Sequence, residues 1–278
     1  MIHVVTAANR RFYEPQLLQM HRQRKKIFID RRGWKALTVA ENGGEYDQGD
    51  DDRAIYFLAL TSFGDVERAM RLRPTDDWSM LGDLFPQFVG PDEAPVNNSD
   101  VWEMARYYTI GNTRQDENFG RRGEFGLSLL EKAVQCGISR VLLLSDLALV
   151  GSVMRSGWKM RIIGLPGAYA EGECVAGEIE CSIEAVETLK ERLNIRGTAL
   201  LEFDENHPLA ELGPLDAELF LDAVQHLTPE SRQLMAGITR SIAKIEAAEG
   251  VDAAIAAVER VRTVIGPSRA VGQRLAGK

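Results

Sequence analysis

Six charged residues lie close in sequence to bulky apolar ones: Arg24, Asp47, Asp50, Arg71, Glu103 and Arg106, near Phe28, Trp34, Met70, Leu72, Trp102 and Tyr107. Charges taken out of water need partners, and a paired set of arginines and carboxylates can hold a polar substrate in one pose. Glu103 and Arg106 pose a geometric problem. Their segment, "DVWEMARYYT" (100–109), is made mostly of strand formers, and strand positions of opposite parity face opposite ways. A one-residue bulge or a bend would turn them together. A plain edge strand would carry them as two exposed charges.

Other chemistries have thinner support. Ser145 follows an apolar run, but no G-x-S-x-G elbow surrounds it and no base is in view. His3, His21, His207 and His226 make no metal-ligand spacing, so no metal is expected. Cys136, Cys174 and Cys181 are too few and too scattered for a disulfide framework or a zinc site. A P-loop and a G-x-G-x-x-G are both absent. The glycine-rich "NFGRRGEFG" (118–126) reads either as a helix entry whose amides could hold phosphate or as a plain helix start.

The elements that must position these groups follow from periodicity. "IHVVTA" reads as a strand, and 11–27 as a helix on the spacing of Leu17, Leu18, His21 and Lys25. "GGEYDQGDDD" reads as loop. "AIYFLAL" (54–60) and "VERAMRLR" form a hairpin about "FGD". Pro74, Pro86, Pro91 and Pro95 punctuate an irregular stretch broken by "WSMLGDLFPQF", which suits a pocket wall or lid. After the strand at 101–110 come a helix over 122–136, the continuously apolar strand "RVLLLS" (140–145), a short helix ending near Gly157, and strands at "WKMRIIG" and "ECVAGEIEC". Ser182 caps a helix to about 193, and "TALLEFD" (198–204) reads as a last strand. Beyond about 205, Leu234, Ile238, Ile242 and Ile245, then Val251, Ile255 and Val258, keep helical spacing on either side of Gly250. The expected division is therefore an α/β domain over 1–205 and a helical extension over 206–278.

Composition sets the class. With 278 residues, 45% hydrophobic and 27% charged, the chain can bury a core of ordinary size. A formal net charge of −8 argues against a nucleic-acid partner. No apolar run is long enough to span a membrane, and "MIHVVTAANRRFYE" lacks the features of a signal peptide, so a cytoplasmic setting is expected. Residues 21–35 hold seven Lys or Arg, and 41–53 hold six acidic residues. Such blocks could be solvated faces, or could fold over a charged small molecule or dock an acidic carrier.

The order of the motifs is more specific than any one of them. "RKKIFIDRRGW" (Arg24, Phe28, Trp34), "EYDQGD" (Asp47, Asp50), "RLRPT" (Arg71), "MLGDLFPQF" (80–88) and "WEMARY" (Glu103, Arg106) together resemble the acyl-homoserine-lactone synthases, the autoinducer synthases of bacterial quorum sensing. A weaker likeness in "GISRVLLLSDLALVGSVMRSGWKMRIIG" carries the resemblance to about 164. Three features depart from the family pattern. Ala105 stands where the family has Ser, Arg73 where it has an apolar residue, and the chain runs past the usual family end.

The resemblance implies a GNAT-like three-layer α/β/α sandwich with a mixed, splayed sheet, here with the helical extension added. It implies S-adenosylmethionine as co-substrate, acyl-CoA or an acyl carrier protein as acyl donor, and methylthioadenosine as product. Glu103 is the expected base, with Asp47 or Asp50 orienting the amine. Arg24, Arg71 and Arg106 would hold the carboxylates and leave one guanidinium for the substrate. Phe28 and Trp34 would enclose adenosine or sulfonium. Met80, Phe85, Trp102, Met104, Leu142 and Leu144 would wall the acyl pocket, with Leu142 where some members place a Thr that favours 3-oxo acyl groups. The basic block of Lys25, Lys26, Arg31 and Arg32 would face the donor entrance, and the extension is a candidate homodimer surface. Two other classes stay open: an N-acyltransferase using acyl-CoA, whose pyrophosphate loop "NFGRRGEFG" does not match, and a non-catalytic binder of acyl or adenosyl ligands.

Overall fold

The computed structural model describes residues 1–35, 37–110, 115–154, 157–169, 172–225 and 227–265. Strands are β1 Ile2–Val5, β2 Thr38–Val39, β3 Glu45–Tyr46, β4 Ile55–Leu60, β5 Val66–Pro74, β6 Val101–Thr109, β7 Arg140–Asp146, β8 Met160–Ile162, β9 Gly167–Tyr169, β10 Gly172–Glu180 and β11 Leu200–Leu201. Helices are α1 Glu14–Arg24, α2 Gln115–Gln135, α3 Val150–Met154, α4 Ile183–Leu193, α5 Gly213–Gln225, α6 Pro229–Glu249 and α7 Val251–Ile265. One compact unit covers Met1–Leu219, and a second begins at Phe220.

The first unit is built on one sheet in the order β11-β1-β4-β5-β6-β7-β10-β8, with β9 added to β10. β11 runs parallel to β1 and β6 to β7; the other pairings are antiparallel, so the sheet is mixed. One face buries Phe57, Met70, Leu72, Trp102 and Leu143 against Phe125, Leu129 and Leu130 of α2 and Val186 and Leu189 of α4. α1 lies on the other face, where the Tyr108 hydroxyl of β6 donates to Gln23 at 2.7 Å.

Two local features open this sheet. The parallel β6–β7 pairing runs from Val101↔Arg140 to Met104↔Leu143 and ends there, although both strands continue. Opposite β5, the partners change from Arg71↔Ala105 to Ala69↔Tyr108, so three steps on β6 face two on β5. This is a one-residue bulge, and within it Arg106 takes a left-handed φ of 57°. A non-glycine residue held there costs about 1–3 kcal/mol, and a bulge bends and twists its strand. β6 therefore parts from β7 just beyond Met104, leaving a fork.

The irregular stretch between β5 and β6 is pinned beneath the fork. A Cβ on Gly164 would lie 1.9 Å from the Phe88 carbonyl oxygen, so only glycine lets the two backbones meet. The Gly90 amide then donates to the Ile163 carbonyl at 2.7 Å. Leu81 and Phe88 pack with Leu142, Ile163, Cys174 and Ala176 in a second apolar cluster.

Four expectations change in detail. The loop read over "GGEYDQGDDD" contains β3, which pairs with β2 because Glu45 is drawn into the interior by arginines. The strand read over 198–204 shortens to Leu200–Leu201, since β11 is an edge strand with β1 as its partner. The glycines of "NFGRRGEFG" fall inside α2, where the Gly126 carbonyl accepts from Trp158 Nε1 at 3.1 Å, so this segment is not a loop before a helix. The short helix read to Gly157 ends at Met154 among the described residues.

In the second unit α6 and α7 pack on each other, and Ala254 and Ala257 are buried. Thr228 caps α6, its hydroxyl accepting from the Ser231 amide at 3.2 Å. The chain reverses at Gly250, which has a φ of 88°.

Candidate active site

A cavity of about 250 Å³ occupies the fork. Its walls include Met104, Ala105, Arg106, Tyr107 and Thr109 of β6 and Leu143, Leu144, Ser145 and Asp146 of β7. Phe28, Arg32, Trp34, Met80, Phe125 and Tyr169 also line it.

Phe28 and Trp34 reach the cavity through an unusual turn. α1 passes into a π-helical turn over Lys25–Arg31, with Arg32 N donating to the Ile27 carbonyl at 3.1 Å. Such turns are rare and concentrate at functional sites. The Trp34 amide then folds back onto the Phe28 carbonyl at 3.0 Å, placing the two rings 5.0 Å apart at 30°. Arg106 lies over this pair, 5.6 Å from Phe28 and 5.7 Å from Trp34. In this structure the aromatic enclosure thus already holds a cation.

Behind the cavity the predicted charges form one network. Arg24, at the end of α1, donates through Nε to Glu45 at 2.5 Å and through both terminal nitrogens to Asp50 at 2.7 and 2.8 Å. Arg71 of β5 grips Asp47 through two bonds and reaches Asp50 at 2.9 Å. Arg106 donates to Glu45 at 3.0 Å and to Asp47 at 2.7 Å. The Tyr56 hydroxyl donates to Asp50 at 3.0 Å. A Cβ on Gly49 would lie 2.6 Å from an Arg71 nitrogen, so the glycine between the two aspartates makes room for that guanidinium. Burial alone would raise the carboxyl pKa values of Asp47 and Asp50, but their arginine partners hold both below the ordinary range.

Glu45 is the residue that sequence reading left out. It is fully buried and joins Arg24 to Arg106. With it, three carboxylates meet three arginines, so no guanidinium is left over as expected. The signal was present: two aspartates among three arginines leave one cation unmatched, and Glu45 is the first residue of the same acidic motif.

Glu103 is held differently. The bulge brings Arg106 to its side of the sheet, yet among the described residues Glu103 bonds to no arginine. Its carboxylate accepts from the backbone amides of Met80 at 2.6 Å and Leu81 at 2.8 Å. The "MLGDLFPQF" motif thus presents the first amides of a short helical turn, capped by Ser79, to this one carboxylate. Burial pushes the Glu103 pKa up to about 7. The two amides, then Arg71 and Arg73, pull in the opposite direction. Arg73, the departure from the family pattern, is paired with Glu103 across the strands and anchored by Asp51 and Asp77.

The predicted acyl-pocket residues divide. Met80, Met104 and Leu144 line the cavity. Phe85, Trp102 and Leu142 do not, for separate reasons. Trp102 and Leu142 sit where β6 and β7 are still paired, below the fork. Phe85 stands one layer back, its ring 5.0 Å from that of Tyr169. Of the basic block, Lys26 and Arg31 are exposed, Lys25 pairs with Asp30 at 2.9 Å, and Arg32 reaches Asp146 across the cavity at 2.5 Å. Ser145 Oγ donates to the Asp146 carbonyl at 3.2 Å. His3 and His21 are engaged by Tyr13 and Glu218 and by the Glu45 carbonyl. His226 lies outside the described residues, and among those described no cluster of metal-ligating side chains occurs.

A forked mixed sheet with a cavity in the fork and an arginine–carboxylate network behind it matches one known class. The autoinducer synthase family model matches residues 9–189, and the chain belongs to that family. It is 28% identical over 199 residues to the isovaleryl-homoserine lactone synthase of Bradyrhizobium diazoefficiens, covering 70% of this chain and 86% of that relative. It is 29% identical over 171 residues to an acyl-homoserine-lactone synthase of Agrobacterium fabrum, covering 60% and 80%. Among solved structures it resembles the CoA-dependent acyl-homoserine lactone synthase BjaI with SAM and isopentyl-CoA, with a TM-score of 0.65, 25% identity, and coverage of 80% of this chain and 99% of that one. The CoA-dependent synthase MesI gives a TM-score of 0.61 at 25% identity, covering 73% of this chain and 100% of that one. The fold is the GNAT-like α/β fold of these synthases.

Proposed function

We propose that Glu103 serves as the base that joins S-adenosylmethionine to an acyl thioester in the fork. The overall activity is that of the family: the chain is an acyl-homoserine-lactone synthase that uses S-adenosylmethionine and an acyl thioester. The methionyl nitrogen attacks the thioester carbonyl, forming the amide C–N bond and breaking C–S. The nitrogen's proton passes to Glu103, through a water, and on to the departing thiolate. The methionyl carboxylate then attacks the carbon next to the sulfonium. That closes the lactone and releases methylthioadenosine.

The single observation that carries this reading is the contrast among carboxylates. Burial raises the Glu103 pKa toward neutrality, where a base can both take and return a proton, whereas arginine partners hold Asp47 and Asp50 below the ordinary range. Asp47, less buried than Asp50, orients the amine. Arg106 at the cavity wall is already bonded to Glu45 and Asp47, and it takes the substrate carboxylate in exchange for one of these bonds. Phe28 and Trp34 enclose the adenosyl group. The acyl chain lies along Met80, Met104 and Leu144, with Phe85, Trp102 and Leu142 behind them. These apolar walls favour donors unsubstituted at C3. Exposed Lys26 and Arg31 suit the phosphates of coenzyme A or an acidic carrier protein. We assign synthase chemistry to 1–205 and self-association to 206–278, where Leu234, Val251 and Ile255 are exposed on α6 and α7.

Purified protein with S-adenosylmethionine and a panel of acyl thioesters should release methylthioadenosine only when both substrates are present. Acetylation of an added amine without methylthioadenosine would identify a plain acyltransferase. Tight binding without turnover would identify a binder.

A further inference from the structure

Arg68 is the exception among the buried arginines. It is 1% exposed, and neither terminal nitrogen has a hydrogen-bond partner among the described residues. Arg24, Arg71, Arg73 and Arg106 each bond to two carboxylates. An unpaired buried guanidinium is costly, so its retention calls for an explanation, and an anion brought in by a ligand supplies one. The position of Arg68 suggests that partner. It lies opposite Thr109 of β6, on the β5 face that carries Met70 and Leu72 toward α2, away from the carboxylate network. Its guanidinium carbon is 5.8 Å from the centre of the Phe125 ring. Thr109 and Phe125 both line the cavity, so the cation lies directly behind the cavity wall.

Distance along the strand defines the ligand group. Arg68 is level with Thr109 and four β5 residues from Leu72, the partner of Met104, which is about 13 Å along the strand. Arg73, the partner of Glu103, is five β5 residues from Arg68, so the free cation is well removed from Glu103, beyond the point where the strands part. An acyl donor with its thioester at Glu103 carries its anionic group at the far end of the pantetheine arm.

Resting on the synthase reading, we propose that Arg68 binds the phosphate of the phosphopantetheine arm, the group shared by acyl-CoA and an acylated carrier protein. Arg68 is then a specificity-determining residue for the donor and takes no part in the bond changes.

The test compares matched acyl thioesters of pantetheine, phosphopantetheine, coenzyme A and carrier protein, with S-adenosylmethionine saturating. Wild-type protein should prefer phosphopantetheine over phosphate-free pantetheine by at least about tenfold in kcat/KM, within the range of a charge-assisted contact. Arg68→Met should abolish most of that preference and Arg68→Lys should keep part of it. The coenzyme A and carrier arms should lose rate together. Arg68→Met should not lower the thermal midpoint of ligand-free protein, since it removes an unpaired buried charge. An equal fall with phosphate-bearing and phosphate-free donors, or none with either, would overturn the assignment. So would a loss confined to coenzyme A, which would point to its nucleotide phosphates, or a large fall in the midpoint, which would make Arg68 structural. Methylthioadenosine release by the wild type is read in the same assay. Its absence with every thioester would sink the synthase reading, whereas its presence with an unchanged donor preference would sink only the role of Arg68.

Discussion

Two groups of carboxylates share one side of the sheet and differ in what surrounds them. Glu45, Asp47 and Asp50 are gripped by Arg24, Arg71 and Arg106, a closed set of three anions and three cations. Glu103 is as deeply buried but is met by two backbone amides, with its nearest guanidinium groups acting only through space. The first arrangement fixes charge and geometry. The second leaves a proton free to move near neutral pH. Burial is common to both, so the choice of partner separates the clamp from the carboxylate we propose as the base.

Breaking the clamp should give the largest effect. Asp50→Asn leaves Arg24 and Arg71 with an incomplete set of acceptors in a buried site, and stability should fall by about 3–5 kcal/mol in chemical denaturation. A loss within error would mean that the network is solvated. The stabilisation from Asp47 and Asp50 is full above the ordinary carboxylate range and is lost as pH falls below that range through their lowered folded pKa values. Glu103 has the opposite sign. Its raised pKa makes the folded state less stable as pH climbs toward about 7, while the fraction of active base increases.

The sequence made the clamp legible and the setting of Glu103 only half so. Arg24, Asp47, Asp50, Arg71 and Arg106 could be grouped because charges beside aromatic residues need partners. Motif order then placed them. The apolar runs of β4 and β7 marked them as core strands, and the turn after β4 placed β5 beside it as a hairpin partner. Contacts made by backbone atoms could not be read this way. The amides of Met80 and Leu81 have no side-chain signature, so Glu103 was expected among the arginines. The end of the β6–β7 pairing is likewise a matter of register, which is why Trp102 and Leu142 were placed in a pocket that opens one residue further on. Arg68 belongs to no motif, and only its burial without a partner sets it apart.

Two smaller effects should move the Glu103 proton in opposite directions. Arg73→Met removes a cation paired across the strands, so the rising limb of the pH–rate profile should move to higher pH, with several-fold loss at pH 7 recovered in alkali. Leu142 lies beside Glu103 in the parallel register, and Leu142→Thr places a hydroxyl there. The limb should then move slightly to lower pH, at a cost in stability of about 1 kcal/mol from the buried hydroxyl. Shifts in the same direction for both variants would show that Glu103 is not the group observed. The acyl pocket separates from this effect at the next inward residue. Leu144→Thr should raise the kcat/KM ratio of 3-oxo over unsubstituted donors by more than Leu142→Thr does, because only Leu144 lines the cavity.

The most direct measurement is kcat against pH for wild type and Glu103→Gln, with both substrates saturating and folding checked by thermal melting. The amide keeps the size of the side chain but cannot take a proton. The wild type should show a rising limb near pH 7, and the variant should fall by about 10²-fold and lose that limb. A folded Glu103→Gln protein with near-wild-type kcat, or with the same inflection, would contradict the assignment of Glu103 as base.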